Sequence, residues 1–374
     1  MSAYDWLIVG CGFTGATLAE RIATELDQRV LIIDRRGHIA GNAHDFVHDS
    51  GLFVGKYGAH IFHTNSERVW DFVRRFARFS DYTHRVAAHV NGLSYSLPLN
   101  LNTVNSFFNT RLSEDDLPHF LEEKRIPIIR PSNAEEAVLN KVGRELYEAF
   151  YRNYTKKQWG IDPAYLDPSV TMRLPVRMNS DERYFSDRWQ GMPVGGYTKL
   201  FANMLNNKNI DVLLNTDYSE AVGLVKFKKV IYTGNIDDYF GNVYGKLPYR
   251  SLKFEFLVHN VEYFQDTPVV NYPNDHDYTR IVEYKQLYQQ KHTKTVVSRE
   301  YPCWNDKEPY YPVPSPENQL LLLKYQEAAS KLKTVYFCGR LGTYRYYNMD
   351  QCIAQALHLF ETKISNKHRA VTVD

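Results

Sequence analysis

The first thirty-four residues constrain the fold more than any other part of the chain. Tyr4 to Val9 is an apolar strand, Gly10-Cys11-Gly12-Phe13-Thr14-Gly15 follows it, an amphipathic helix runs to about Leu26, and Arg29 to Ile33 is a second buried strand ending at Asp34. A G-x-G-x-x-G at a strand-to-helix turn has a mechanical reading. Gly10 permits the tight turn, Gly12 lets the backbone approach a pyrophosphate at the positive end of the helix, and Gly15 lets helix and strand pack closely. Asp34, nineteen residues beyond Gly15, is placed to accept hydrogen bonds from an adenosine ribose and disfavours a 2′-phosphate. Strand, loop, helix, strand and acid in register predict a Rossmann-like βαβ unit that binds an ADP-containing cofactor.

After this unit the alternation stops. Residues 100–150 read as helical, with Leu112 to Lys124 and Glu135 to Tyr151 as helices punctuated by Pro127 and Pro131. Residues 250–284 are strand-rich, and Leu252 to Phe256 alternates with period two. Thr334 to Arg340 is a buried strand running into a Gly turn, and Asp350 to Ile364 is a closing helix. The chain thus leaves the nucleotide domain and returns to it. The expected fold is α/β: a discontinuous Rossmann-like domain (1–78, 190–240 and 318–374), an inserted helical domain (100–158), and an antiparallel-sheet domain (79–99, 159–189 and 241–317). A chain of 374 residues is long enough for several cores with a cleft between them.

Composition excludes several classes. The balance of 45 Lys+Arg against 43 Asp+Glu gives no footprint for nucleic acid or an anionic membrane, so any bound anion must be met locally. No apolar stretch reaches the length of a membrane span, and no export signal opens the chain. The four cysteines, without a C-x-x-C pair, argue against a disulfide framework or zinc site and fit a reducing cytoplasm. His60 and His63 form H-x-x-H without a third ligand, and no metal is expected. With 28 Tyr, 20 Phe and 5 Trp, aromatics reach 14%, and clustered tyrosines offer stacking faces and hydroxyls for bases, sugars and phosphates.

The dinucleotide is NAD or FAD, and three features favour FAD. Arg35 to Asn42 contains a second Gly turn at Gly41 that can approach flavin phosphates or ribityl chain, and Cys338-Gly339-Arg340 returns a Gly turn and a cation to the same sheet. No second G-x-G-x-x-G is present to hold a nicotinamide that would reduce the flavin. Such a flavin is either oxidised by substrate and oxygen or serves a reaction without net redox change.

Seven segments carry a resemblance to a known family. They are Tyr57 to Thr64, Asn153 to Gly160, Tyr184 to Arg188, Pro193 to Lys199, Tyr278 to Arg280, Glu308 to Val313, and Gly339 to Tyr346. In this order and nearly over the whole chain they resemble the bacterial UDP-galactopyranose mutases, flavoenzymes that interconvert UDP-galactopyranose and UDP-galactofuranose. The resemblance implies that Arg173, in a Pro-flanked mobile loop, and Arg280 neutralise the diphosphate through charge-assisted hydrogen bonds. Tyr184, Tyr311 and Tyr346 match tyrosines that donate to the same phosphates. Phe150 and Tyr154 match the uracil-stacking face, although as a bare pattern they read as core. Thr155, Trp159 and Asn271 match residues of the sugar and uridine pockets. His63 sits in a segment whose backbone meets flavin N5. The full cofactor set expected is Gly10, Gly12, Phe13, Thr14, Gly15, Asp34, Arg35, Gly41, Asn42, His60, Ile61, Gly339, Arg340, Tyr346, Asn348 and Met349.

The implied chemistry uses reduced FAD as covalent catalyst. N5 attacks the anomeric carbon, UDP leaves, an iminium opens the sugar ring, the 4-hydroxyl recloses it and UDP returns, with an external reductant keeping the flavin reduced. The resemblance also implies a homodimer that serves cell-surface polysaccharide synthesis, in the cytoplasm that the cysteines fit. Two departures stand out. Asn348 occupies a position where an acid is expected, and Ala40 replaces a Gly before Gly41, which is tolerable if φ there is negative. An amine-oxidase-type flavin oxidoreductase shares the βαβ unit and the Gly-Arg return, and a catalytically silent nucleotide-sugar binder is the reading that Asn348 suggests.

Overall fold

The computed structural model describes residues 3–172, 174–305 and 308–365. Its first sheet is parallel, with strands in the order Val335–Phe337, Lys226–Tyr232, Ala3–Val9, Val30–Asp34 and Ile210–Leu214. Ile8 lies between Ile32 and Ile231, and all three are fully buried. Such strands read as continuous apolar runs because helices or aromatic side chains cover both faces. One face carries the helices Phe13–Glu25, Gly196–Leu205 and Met349–Leu359, drawn from three distant segments. The other face is covered by a cluster that includes Tyr4, Tyr218, Tyr232, Tyr239 and Phe337.

The second sheet runs Tyr311–Pro312, Tyr249–His259, Thr295–Trp304, Arg280–Glu283, Val269–Asn271, Val86–Val90 and Leu93–Leu97. Its pairs are antiparallel except for Val269–Asn271 against Val86–Val90, which is parallel. The helical segment between residues 101 and 172 packs on this sheet: Leu101–Phe108 against Leu93–Leu97, Tyr147–Arg152 against Val86–Val90, and Asn153–Trp159 against Thr295–Trp304.

The structure corrects the expected elements at three places. The helix expected over Leu112 to Lys124 is Asp116–Lys124, because the amide and hydroxyl of Ser113 both donate to Asp116 and hold a turn before it. The helix expected over Glu135 to Tyr151 is not continuous. Gly143 breaks it at φ +83°, where a Cβ would come within 2.2 Å of the Lys124 carbonyl oxygen, and a π-helical turn Tyr147–Arg152 leads into the helix Asn153–Trp159. A π turn widens the ladder and is often found at functional sites. The closing helix likewise ends in a π turn, Phe360–Ile364.

Candidate functional site

The first cavity lies at the carboxyl ends of the parallel strands, where open α/β sheets bind ligands, and encloses about 330 Å³. Gly10 takes φ +100°, and a Cβ on Gly15 would sit 2.0 Å from the Gly10 carbonyl oxygen, so the third glycine is required for helix and strand to meet. A Cβ on Gly12 would meet no heavy atom within 4 Å, which leaves the N-terminus of the helix Phe13–Glu25 open to the cavity. The backbone there presents N–H groups and the positive end of the helix dipole to an anion. Asp34 ties the two Gly turns together: its carboxylate accepts from the Cys11 amide at 2.8 Å and the Arg36 amide at 2.9 Å. Each oxygen retains a lone pair for a ribose hydroxyl. Gly41 turns against Gly12, where its Cβ would lie 3.0 Å from the Gly12 Cα. Gly339 needs its φ of +83° and its missing side chain to pass Thr14.

Ala40 differs from the expectation. Its φ is +75°, in the left-handed region, so the condition for tolerating alanine there is not met. The conformation costs an L-residue about 1–2 kcal/mol, and burial of the methyl group, 1% exposed, offsets part of that.

The second cavity encloses about 470 Å³ and shares Asn42, His60, Tyr310, Arg340 and Met349 with the first, so the two form one continuous cleft. Phe150, Tyr154, Thr155, Trp159, Tyr184, Asn271, Arg280, Tyr311 and Tyr346 all line it, with His63, Ile61 and Asn348. Arg173 lies outside the described residues. Phe150 comes from the π turn and is held edge-on by Tyr95 and Phe107 at 5.4 Å each; Tyr154 is the next turn of the same wall. Beside Trp159, Tyr311 and Tyr346 stack at 5.3 Å and 14°, and the Arg340 guanidinium sits 5.6 and 5.0 Å from their ring centres. Arg340 is fixed by donating to the carbonyls of Tyr347 and Tyr310.

Arg280 is the cation of this wall. Its Nε donates to Glu300 at 2.6 Å, and Glu300 is 1% exposed with Oε1 left without a partner. Burial works against the charge on Arg280, but Glu300 and the neighbouring Tyr154 and Tyr311 hold its pKa well above the ordinary value. One edge of the guanidinium is therefore committed to Glu300, while the side chain lines the cavity. Asn271, directly across the strand pair, has a buried Oδ1 without a partner. Burial pushes the Tyr311 hydroxyl pKa up, so it stays a donor.

Three histidines, His60, His63 and His84, line the second cavity. In the cleft, desolvation lowers the pKa of His60 to about 4. His63 bonds through Nδ1 to Asp187 at 2.9 Å and stacks on Phe185 at 3.7 Å and 12°. His84, 3% exposed, meets the Tyr82 hydroxyl at 2.8 Å, and burial, with Arg280 and His63 nearby, lowers its pKa to about 3. Its folded pKa lies below the unfolded value near 6.5, so stability present above pH 6.5 is lost as pH falls towards 3. At pH 5 this one residue is expected to cost about 2 kcal/mol relative to pH 7. His84→Phe should flatten urea midpoints between pH 7 and 5; an unchanged slope would show that His84 does not stay neutral.

Asn348 is the N-cap of the helix Met349–Leu359 and forms a capping box with Gln351, whose side chain accepts from the Asn348 amide at 2.9 Å. Aspartate caps equally well and suits the helix dipole. Asn348→Asp is therefore expected to change unfolding free energy by no more than about 0.5 kcal/mol in denaturant titration, whatever it does to turnover.

Sequence reasoning missed several groups that the fold brings to the cleft. Thr216, Asp217, Tyr218, Tyr232 and Asn235 line the far end of the first cavity. The Asp217-x-x-Glu220 capping box was a readable signal of a helix start there. Glu300, Phe185 and Asp187 line the second; an acid within the mostly buried strand Thr295–Trp304 was the only hint of Glu300.

A Gly-turn cradle continuous with a Tyr- and Arg-lined chamber defines a dinucleotide-binding protein with room for a second ligand beside the cofactor, and the residues present fit FAD. Comparison narrows this class. The profile of the UDP-galactopyranose mutase family matches residues 149–346, and that of an NAD(P)-binding Rossmann-like domain matches residues 8–76. The chain is 40% identical to a probable UDP-galactopyranose mutase of Klebsiella pneumoniae, over 98% of this chain and 96% of that one. It is 39% identical to a dTDP-fucopyranose mutase of Escherichia coli, over 96% and 98%. In fold it is similar to a reduced UDP-galactopyranose mutase crystal structure, with a TM-score of 0.79 at 16% identity, covering 98% and 95% of the chains. The chain belongs to the UDP-galactopyranose mutase family.

Proposed function

We propose that this chain is a flavin-dependent isomerase that interconverts UDP-galactopyranose and UDP-galactofuranose without net redox change. The observation that carries the reading is the continuity of the two cavities through His60, Arg340 and Met349, which opens the Tyr- and Arg-lined chamber onto the Gly-turn cradle. Gly10, Gly12, Thr14, Asp34, Gly41 and Arg340 would hold FAD, which in its reduced form supplies the nucleophile for exchange at the anomeric carbon. The protein's own share is binding and electrostatics. Phe150 and Tyr154 take the base, and Arg280 with Arg173 takes the diphosphate charge as it departs and returns. Tyr184, Tyr311 and Tyr346 donate hydroxyls to it, and Thr155, Trp159 and Asn271 line the sugar and uridine. His63, fixed by Asp187, borders the reacting end of the cleft.

The same reading takes the chain as three structural units: the parallel-sheet unit that bears the cradle, the helical unit, and the second-sheet unit. It also takes the chain as a cytoplasmic homodimer, supplied with electrons by an external reductant and feeding cell-surface polysaccharide synthesis. Among the described residues no helix is long and apolar enough to cross a membrane.

Near-equal identity to a UDP-galactose and a dTDP-fucose enzyme makes the sugar nucleotide the point to test. The reduced protein should convert UDP-galactofuranose with a kcat/KM at least tenfold above that for dTDP-fucofuranose, read by chromatography. The reverse order would give the second reading, a dTDP-deoxyhexose mutase, and no conversion of either would overturn both.

A further inference from the structure

The hairpin loop over residues 272–279 joins the strands that carry Asn271 and Arg280, and it is organised around a side chain from outside itself. The Lys157 ammonium donates to the carbonyl oxygens of Tyr272 at 2.5 Å, His276 at 3.1 Å, Tyr278 at 3.2 Å and Asp275 at 3.3 Å. Three N–H donors shared by four carbonyls leave the group saturated, and His276 takes a left-handed φ of +65° in the turn that brings these carbonyls together. Burial lowers the Lys157 pKa to about 8, with Asp275 and Asp277 acting in the opposite direction, so the group is mostly charged at neutral pH.

Two further bonds join the same partners. The Asn274 amide donates to the Ala149 carbonyl at 3.0 Å, and the Asn153 amide donates to Asn274 Oδ1 at 3.0 Å. Ala149, Asn153 and Lys157 recur every four residues and form one stripe of the segment. Phe150, Tyr154 and Gln158, one residue on at each step, form the adjacent stripe and line the second cavity. The far end is fixed independently, since Arg250 donates to the carbonyls of Gln158 at 2.9 Å and Lys157 at 3.0 Å.

From this we infer that Lys157 is a positioning residue for nucleotide binding: by clamping the 272–279 loop to the 149–157 segment it sets the spacing between the base-stacking wall and the wall that carries Asn271 and Arg280. Lys157 does not itself line the cavity. This rests on the nucleotide-sugar reading of the cleft and adds to it which residue fixes the cleft's width. Loss of the clamp weakens binding of the nucleotide part, while the reacting end, built by other strands, is left in place.

The test is a titration of the oxidised holoenzyme with UDP, by calorimetry, for wild type, Lys157→Met and Asn274→Ala, with kcat and KM measured on the reduced proteins. The expected result for Lys157→Met is a rise of tenfold or more in the Kd for UDP and in KM, with kcat at saturation within threefold of wild type. Asn274→Ala, which removes a bridge at an exposed amide, should raise the Kd about threefold and serves if Lys157→Met does not fold. A wild-type Kd in both variants, or a loss confined to kcat, would overturn the clamp. A wild-type protein that does not bind UDP at all would instead overturn the reading of the cleft.

Discussion

Arg280→Ala is expected to lower kcat/KM for the nucleotide sugar by about a thousandfold, equivalent to about 4 kcal/mol of transition-state binding. Two effects combine. On the proposed function the departing diphosphate loses a charge-assisted donor that a lysine cannot reproduce, since part of the guanidinium fork is committed to Glu300 while the side chain lines the cavity. Glu300, 1% exposed, is also left as a buried carboxylate without a cation, and breaking such a pair costs about 3–5 kcal/mol of stability. The double variant Arg280→Leu/Glu300→Leu separates them. It removes both charges and should recover most of the unfolding free energy but none of the activity. If the double variant regained turnover, Arg280 would be a structural partner of Glu300 and not a diphosphate ligand.

Gly15→Ala should be nearly as damaging by a different route. Its Cβ would stand 2.0 Å from the Gly10 carbonyl oxygen and 3.2 Å from Ile8 Cγ2, and the first contact is backbone on backbone, so no side-chain rotation relieves it. The helix Phe13–Glu25 must lift from the sheet, and the N-terminal amides that face the cavity move with it. Overpacking of this kind costs about 3 kcal/mol, and the variant should purify colourless. Gly12→Ala is the control, because its Cβ meets no protein atom within 4 Å. It should fold with wild-type stability yet bind the dinucleotide weakly. Equal flavin content in Gly15→Ala and wild type would contradict the packing role.

The part of the fold that was legible in the sequence is the part written in local signals. The Gly10 to Gly15 loop and Asp34 identify their turn because each glycine answers a separate steric demand, and the structure shows the demands on Gly10 and Gly15 directly. The strand pairing of the second sheet was less legible. Val86–Val90 pairs in parallel with Val269–Asn271 across nearly half of the chain, and no local pattern announces a partner so remote. Helix ends failed where side chains compete with the backbone, as Ser113 and Asp116 do, and where a glycine was needed for close approach, as Gly143 is beside Lys124. At the site, tyrosines and arginines in motifs were readable, but their partners were not. Glu300 becomes part of the cleft only through its register opposite Arg280, and Asp187 only because the strand Trp189–Gly191 pairs with Phe62–Thr64 and brings it to His63. Ala40 shows the limit of arguing from residue type alone, since an alanine occupies a left-handed turn that the sequence rules assign to glycine.

Isomerisation without net oxidation is the central property proposed for this chain, and one experiment addresses it. The purified yellow protein is given UDP-galactofuranose with and without dithionite under anaerobic conditions, and both UDP-sugars and the flavin spectrum are followed together. The expected result is that the pyranose form accumulates over many turnovers per flavin only when the flavin is reduced, and that the flavin is still reduced at the end. Bleaching of the oxidised protein by a sugar substrate, or reduced protein that binds UDP and converts nothing, would contradict it.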